Sequence, residues 1–98
     1  MYNSISMPEF EQQWKKDTLP LVDVRETNEW KNGHLEGAVH VPLSELSSAK
    51  QKLDKNQKYY VMCHSGSRSS MACQQLAKEG YKVTNVMGGI SAWRGEIV

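Results

Sequence analysis

The run Val61-Met62-Cys63-His64-Ser65-Gly66-Ser67-Arg68-Ser69-Ser70 sets a thiol, an imidazole and a guanidinium among serines and one glycine. A cysteine there can be packing, a metal ligand, a redox partner or a nucleophile. Small residues around a glycine let the backbone curl until the N–H groups of His64, Ser65, Gly66 and Ser67 converge, which makes an anion-binding nest. A helix opening at Ser67 adds partial positive charge at its N-terminus. Arg68 adds a full charge and His64 a further donor. Each of these favours thiolate over thiol at Cys63. A thiolate ringed by donors is an activated nucleophile poised for an anionic substrate.

The other readings fit less well. A lone cysteine at a strand end is usually a small buried hydrophobe, but Cys63 begins a polar, arginine-containing turn. Cys73 shares one helical face with Ala72, Leu76 and Ala77 and reads as core. A disulfide between them is not expected: Cys73 would lie roughly 9 Å up the helix from its start, and a disulfide needs Cα atoms within about 7 Å. No metal and no cofactor are expected, because His34 and His40 lie in unrelated segments and the cysteine spacing fits no zinc pattern.

The elements around this loop read as alternating strands and helices. Leu19 to Val24, Tyr59 to Met62 and Lys82 to Val86 are mostly apolar runs, suited to strands covered on both faces. Ala38 to Val41, stopped by Pro42, and Asn3 to Ile5 are weaker strands. Ser6 caps a helix reaching Lys16, with Pro8 in its first turn. Glu26 to Lys31, Ser44 to Leu53 and Ser67 to Glu79 are further helices, and a last short one starts near Gly89 and carries Trp93. The pattern predicts an α/β domain: a mostly parallel sheet of about five strands with helices on both faces. Ligands of such sheets sit beyond the carboxyl ends of the strands, where Cys63 lies. Residues 1–98 read as one domain, without repeat or linker.

A net charge of +1 gives no electrostatic footprint for nucleic acid or an acidic membrane. No apolar run is long enough to cross a bilayer, and no signal peptide is expected from the first residues. Two cysteines are too few for a disulfide framework, so a reducing, cytoplasmic setting is expected.

Three stretches in order resemble the single-domain rhodanese family. "LVDVRETNEWKNGHLEGAVHVPLSEL" is similar to its strand ending in Asp-x-Arg, its Gly-His turn and the strand closed by proline. "VMCHSGSRSSMACQQLAKEGY" resembles its active-site loop and helix, and "VTNVMGGISAW" its last strand and paired glycines. The resemblance implies a rhodanese-like fold and thiosulfate sulfurtransferase chemistry. Cys63 would take a sulfane sulfur from a small anionic donor such as thiosulfate, or from a protein persulfide. It would then pass that sulfur to cyanide, a thiol or a protein acceptor. The N–H groups of His64, Ser65, Gly66, Ser67 and Arg68 would hold the terminal persulfide sulfur, and Arg68 would orient the donor. Asp23, Arg25, Glu29, His34 and Trp93 also match the family and are read as structural. Trp14, Trp30 and Trp93 are scattered in sequence and read as packing.

Two other functions compete with this reading. Phosphatases and arsenate reductases of similar fold have five residues between cysteine and arginine, whereas four stand between Cys63 and Arg68. The tighter nest suits one sulfur atom better than a tetrahedral oxyanion. A non-enzymatic partner-binding module commonly lacks the loop cysteine, which is kept here. A persulfide carrier needs the same residues as the enzyme and stays open at this stage.

Overall fold

A computed structural model describes residues 2–17 and 19–98, apart from the side chain of Ala49. Five strands form one sheet: β1 (Asn3–Ile5), β2 (Leu21–Asp23), β3 (Val39–His40), β4 (Lys58–Met62) and β5 (Lys82–Val86). Their order is β1-β5-β4-β2-β3, and every neighbouring pair is parallel. The helices are α1 (Met7–Lys16), α2 (Thr27–Lys31), α3 (Leu46–Ala49) and α4 (Ser67–Lys78). No helix among the described residues is long and apolar enough to cross a membrane.

Alternation along β4 explains the layering, since successive side chains of a strand point to opposite faces. Tyr59, Val61 and Cys63 join the core under α4, with Ala72, Cys73 and Leu76. Met62 joins the opposite core, with Phe10 of α1, Leu21, Leu35 and Val86. Both faces of the sheet are thus covered, as its apolar strands require. Cys63 continues the odd positions of β4, so it emerges on the α4 side.

Several expected elements differ in detail. The strand expected from Leu19 pairs only from Leu21. Pro20 has no N–H to give a ladder, though its carbonyl accepts from Tyr60 at 2.8 Å. The helix expected from Ser44 to Leu53 is broken into a 3-10 turn (Leu43–Glu45), α3 and a second 3-10 turn (Lys50–Lys52). Its serines bond elsewhere: Ser44 Oγ donates to Glu26 at 2.6 Å and Ser48 Oγ to the Glu45 carbonyl at 3.2 Å. The last helix is a 3-10 turn over Gly89–Ala92, and Trp93 leaves it with extended backbone. Trp14 and Trp93 are not scattered in space. Their rings lie 6.0 Å apart, and each packs on Phe10.

Candidate active site

Cys63 directly follows β4 and has no exposed surface. The chain then turns through His64 and Ser65, both exposed, to Gly66, which caps α4 at φ +108°. That left-handed angle favours glycine. It aims the Gly66 N–H back at the Cys63 Sγ, 3.0 Å away. The first N–H groups of α4, those of Ser67, Arg68 and Ser69, have no partner within the helix, and that of Ser69 is among the sulfur's donors. Burial pushes the Cys63 thiol up. The Ser69 hydroxyl and the N–H groups of Ser69, Gly66 and Ser65 outweigh it, so the thiol lies below its ordinary pKa. Cys73 shows what burial does without donors: its thiol is pushed up to about 12. Both cysteines are free.

The carbonyls of the loop are fastened from behind. The N–H groups of Ile90 and Ser91 donate to the Cys63 and His64 carbonyls at 2.8 and 2.9 Å. With those carbonyls turned toward Ile90 and Ser91, the N–H groups are left for the sulfur. The close approach explains Gly89: a Cβ there would lie 2.4 Å from the Cys63 carbonyl oxygen.

Arg68 stands in the first turn of α4 but is not free. Its Nη1 and Nη2 donate to Glu29 Oε1 and Oε2 at 2.5 and 2.8 Å. Glu29 is itself oriented, since its Oε1 also accepts the Glu26 N–H that opens α2. The Arg68 guanidinium holds the Glu29 carboxyl down at about 2. In return Glu29 raises the Arg68 pKa, with smaller contributions from charge on Cys63 and Glu26. Cys63, Glu29 and Glu26 thus all lie close enough for their charges to act on Arg68, at the mouth of the loop.

The other family-matching residues brace this mouth. Asp23 is buried and accepts from the Arg25 backbone and side chain. Arg25 Nη2 also donates to the Gly33 carbonyl at 2.7 Å. His34 Nδ1 bonds the Trp30 carbonyl, His40 Nε2 the Arg25 carbonyl, and the Trp30 ring stacks on both imidazoles. Among the described residues no cluster of His, Cys, Asp and Glu could hold a metal.

Sequence reasoning did not single out Ser69 or Asn85, and it read Glu29 as structural without finding its partner. Ser69 had left a signal, because it falls on the same helical face as Ala72, Cys73 and Leu76 and is fully buried. Asn85 left none, since Lys82 and Thr84 of the same strand are polar too, yet it is only 6% exposed.

Comparison with known proteins agrees with this geometry. The Rhodanese-like domain family matches residues 6–96. "Putative sulfur carrier protein YrkF" of Bacillus subtilis is 40% identical over 94% of this chain, which spans about half (51%) of that relative's length. "Putative sulfurtransferase YtwF" of the same organism is 40% identical over 82% of this chain and 78% of its own. The crystal structure of a rhodanese-like domain protein from Staphylococcus aureus superposes with a TM-score of 0.89 at 29% identity, covering 96% of this chain and 93% of that one. The fold, the cysteine-bearing loop and these matches agree, and the chain belongs to the rhodanese-like domain family.

Proposed function

We propose that this chain is a sulfurtransferase that carries a sulfane sulfur as a persulfide on Cys63. The observation that supports it most is the Gly66 N–H aimed at the Cys63 Sγ at the mouth of α4. That arrangement stabilises a thiolate before reaction and a terminal persulfide sulfur after it. In the first half-reaction the Cys63 thiolate attacks the sulfane sulfur of the donor. The new bond joins Sγ to that sulfur, and the donor's remainder leaves with the electron pair of the broken bond. In the second half-reaction cyanide or a thiol attacks the outer sulfur and restores the thiolate.

Cys63 and Arg68 are the residues assigned to chemistry, with the N–H groups of His64, Ser65, Gly66, Ser67 and Arg68 as the sulfur cradle. A working thiolate fits a reducing compartment such as the cytoplasm. We read residues 1–98 as one unit for this purpose. Sulfur carriage between proteins is the same chemistry with a macromolecular donor or acceptor, and the name of YrkF favours keeping it beside the enzymatic reading.

Intact-mass measurement after incubation with thiosulfate or with cysteine hydropersulfide tests the proposal. One added sulfur atom on Cys63, absent from Cys63→Ser and Cys63→Ala and removed by cyanide, is the expected result. Absence of that adduct with both donors would reject it.

A further inference from the structure

Resting on the sulfur-transfer reading, we propose that Glu29 is a specificity-determining residue. By occupying both Nη atoms of Arg68, it directs Cys63 toward sulfane sulfur carried on a thiol and away from the small dianion thiosulfate.

The pair has the geometry of a fixed clamp. Both carboxylate oxygens meet both guanidinium nitrogens, the planar match that makes arginine a specific carboxylate binder. The carboxylate is pinned from its own side by the Glu26 N–H. Each side chain is only about a third exposed, at 32% for Arg68 and 30% for Glu29. A guanidinium bound this way has spent its end-on Nη1/Nη2 edge, so a sulfonate that is to grip it there must displace Glu29.

The surrounding charges do not replace it. Glu26 acts on the Arg68 guanidinium as a second carboxylate and is anchored by the Ser44 hydroxyl at 2.6 Å. Arg25 is turned inward, to buried Asp23 and the Gly33 carbonyl. Beyond the Asp23–Arg25 pair, whose guanidinium adds a weaker positive charge at Glu29, two carboxylates thus act on the one Arg68 guanidinium. A dianionic donor must displace Glu29 from Arg68 and then sit beside the carboxylate it has stripped of its partner. Like charges brought together in this way are how sites reject a wrong ligand.

The two donors differ in the charge they bring and release. With thiosulfate, the Cys63 thiolate bonds the outer sulfur, the S–S bond to the sulfonate breaks, and sulfite leaves as a dianion. With a hydropersulfide R–S–SH, the thiolate bonds the outer sulfur, the S–S bond breaks, and R–S⁻ leaves as a monoanion. The proton stays on the Cys63 persulfide or passes to the leaving thiolate. No oxidant or reductant enters either step. Only the first requires a dianion to arrive and depart past Glu29 and Glu26.

The test is the rate of Cys63 loading by thiosulfate relative to cysteine hydropersulfide, read by intact mass in single turnovers. Glu29→Gln should raise that ratio by about tenfold or more, a gain of roughly 1.4 kcal/mol for the dianion. The gain should appear as tighter thiosulfate binding and shrink as ionic strength rises. Glu29→Asp, which keeps the charge while changing the length, should leave the ratio within about threefold of the starting protein, since its repulsion persists. An unchanged ratio in a folded Glu29→Gln protein would overturn the assignment, as would an equal rise in Glu29→Asp. If the starting protein loads from neither donor, the sulfur-transfer reading itself fails, an outcome distinct from loading that ignores Glu29.

Discussion

Ser69 Oγ lies 2.5 Å from Asn85 Oδ1, and both side chains are buried between α4 and β5. Asn85 can only accept at that oxygen, so the serine donates. The same hydroxyl is 3.1 Å from the Gly66 carbonyl and is the foremost of the groups that lower the Cys63 pKa. One proton thus has three acceptors within reach.

Ser69→Ala should therefore make Cys63 harder to ionise. A hydrogen bond to a charged group is worth about 1.5–3 kcal/mol, so alkylation of Cys63 by iodoacetamide near pH 7 should slow by about tenfold. Ser69→Thr, which keeps the hydroxyl, should recover part of the rate. An unchanged alkylation profile against pH in Ser69→Ala would show that backbone donors suffice.

Cys73→Ser separates packing from chemistry. The thiol is fully buried beside Leu76 and Val83, and the replacement hydroxyl finds an apolar setting. A loss of about 1–3 kcal/mol is expected from burying that group, read as a lower denaturant midpoint. Persulfide formation on Cys63 should persist below the transition, because Cys73 offers no thiolate at neutral pH.

Glycine substitutions can weigh the rear fastening of the loop. Gly37 and Gly89 both have positive φ, +87° and +55°, but a Cβ at Gly37 meets nothing within 4 Å. Gly37→Ala should cost only the left-handed backbone penalty, about 1 kcal/mol, or about 4–8 °C in Tm for a domain of this size. Gly89→Ala adds overlap with the Cys63 and His64 carbonyls. It should lower Tm further and cut sulfur transfer about a hundredfold, since a 1 Å displacement of reacting groups suffices for that. Equal effects from the two substitutions would show that the carbonyls are not held from behind.

The Arg68–Glu29 pair has a defined acid limit. The folded Glu29 carboxyl lies at about 2, below its ordinary 4.5. A group depressed in the folded state stabilises fully above its ordinary value, and that contribution fades as pH falls toward the folded one. Carboxyl NMR should show Glu29 titrating near 2 in the intact protein. In Arg68→Ala it should titrate close to 4.5, because the largest cause of the depression is gone.

The loop and the sheet were legible because they obey local rules. An apolar strand running straight into Cys-His-Ser-Gly-Ser-Arg announces both a buried element and the reactive turn at its end. The Ser44–Leu53 segment misled because its apolar spacing looks helical, while its serines bond to Glu26 and to their own backbone. Glu29 and Arg68, 39 residues apart, meet only in the folded chain, and no sequence period links them. Asn85 and the Gly89 approach depend on β5 docking against β4, which again is a tertiary event. The family and the fold were readable; the contacts around the loop were not.

The strand order has a consequence for the making of this protein. β1 lies at an edge of the sheet and pairs only with β5, Asn3 opposite Thr84. Its partner β5 comes last of the five strands in chain order, so β1 stays unpaired until β5 has been made. Contacts this distant in sequence close late and slowly. The lock on the reactive loop follows the same schedule, because Asn85 and the Gly89 turn arrive with β5. A nascent chain that has already made Cys63 and its local donors lacks the contacts that fasten their loop from behind. The loop is thereby fastened in full only once β5 and the Gly89 turn have docked.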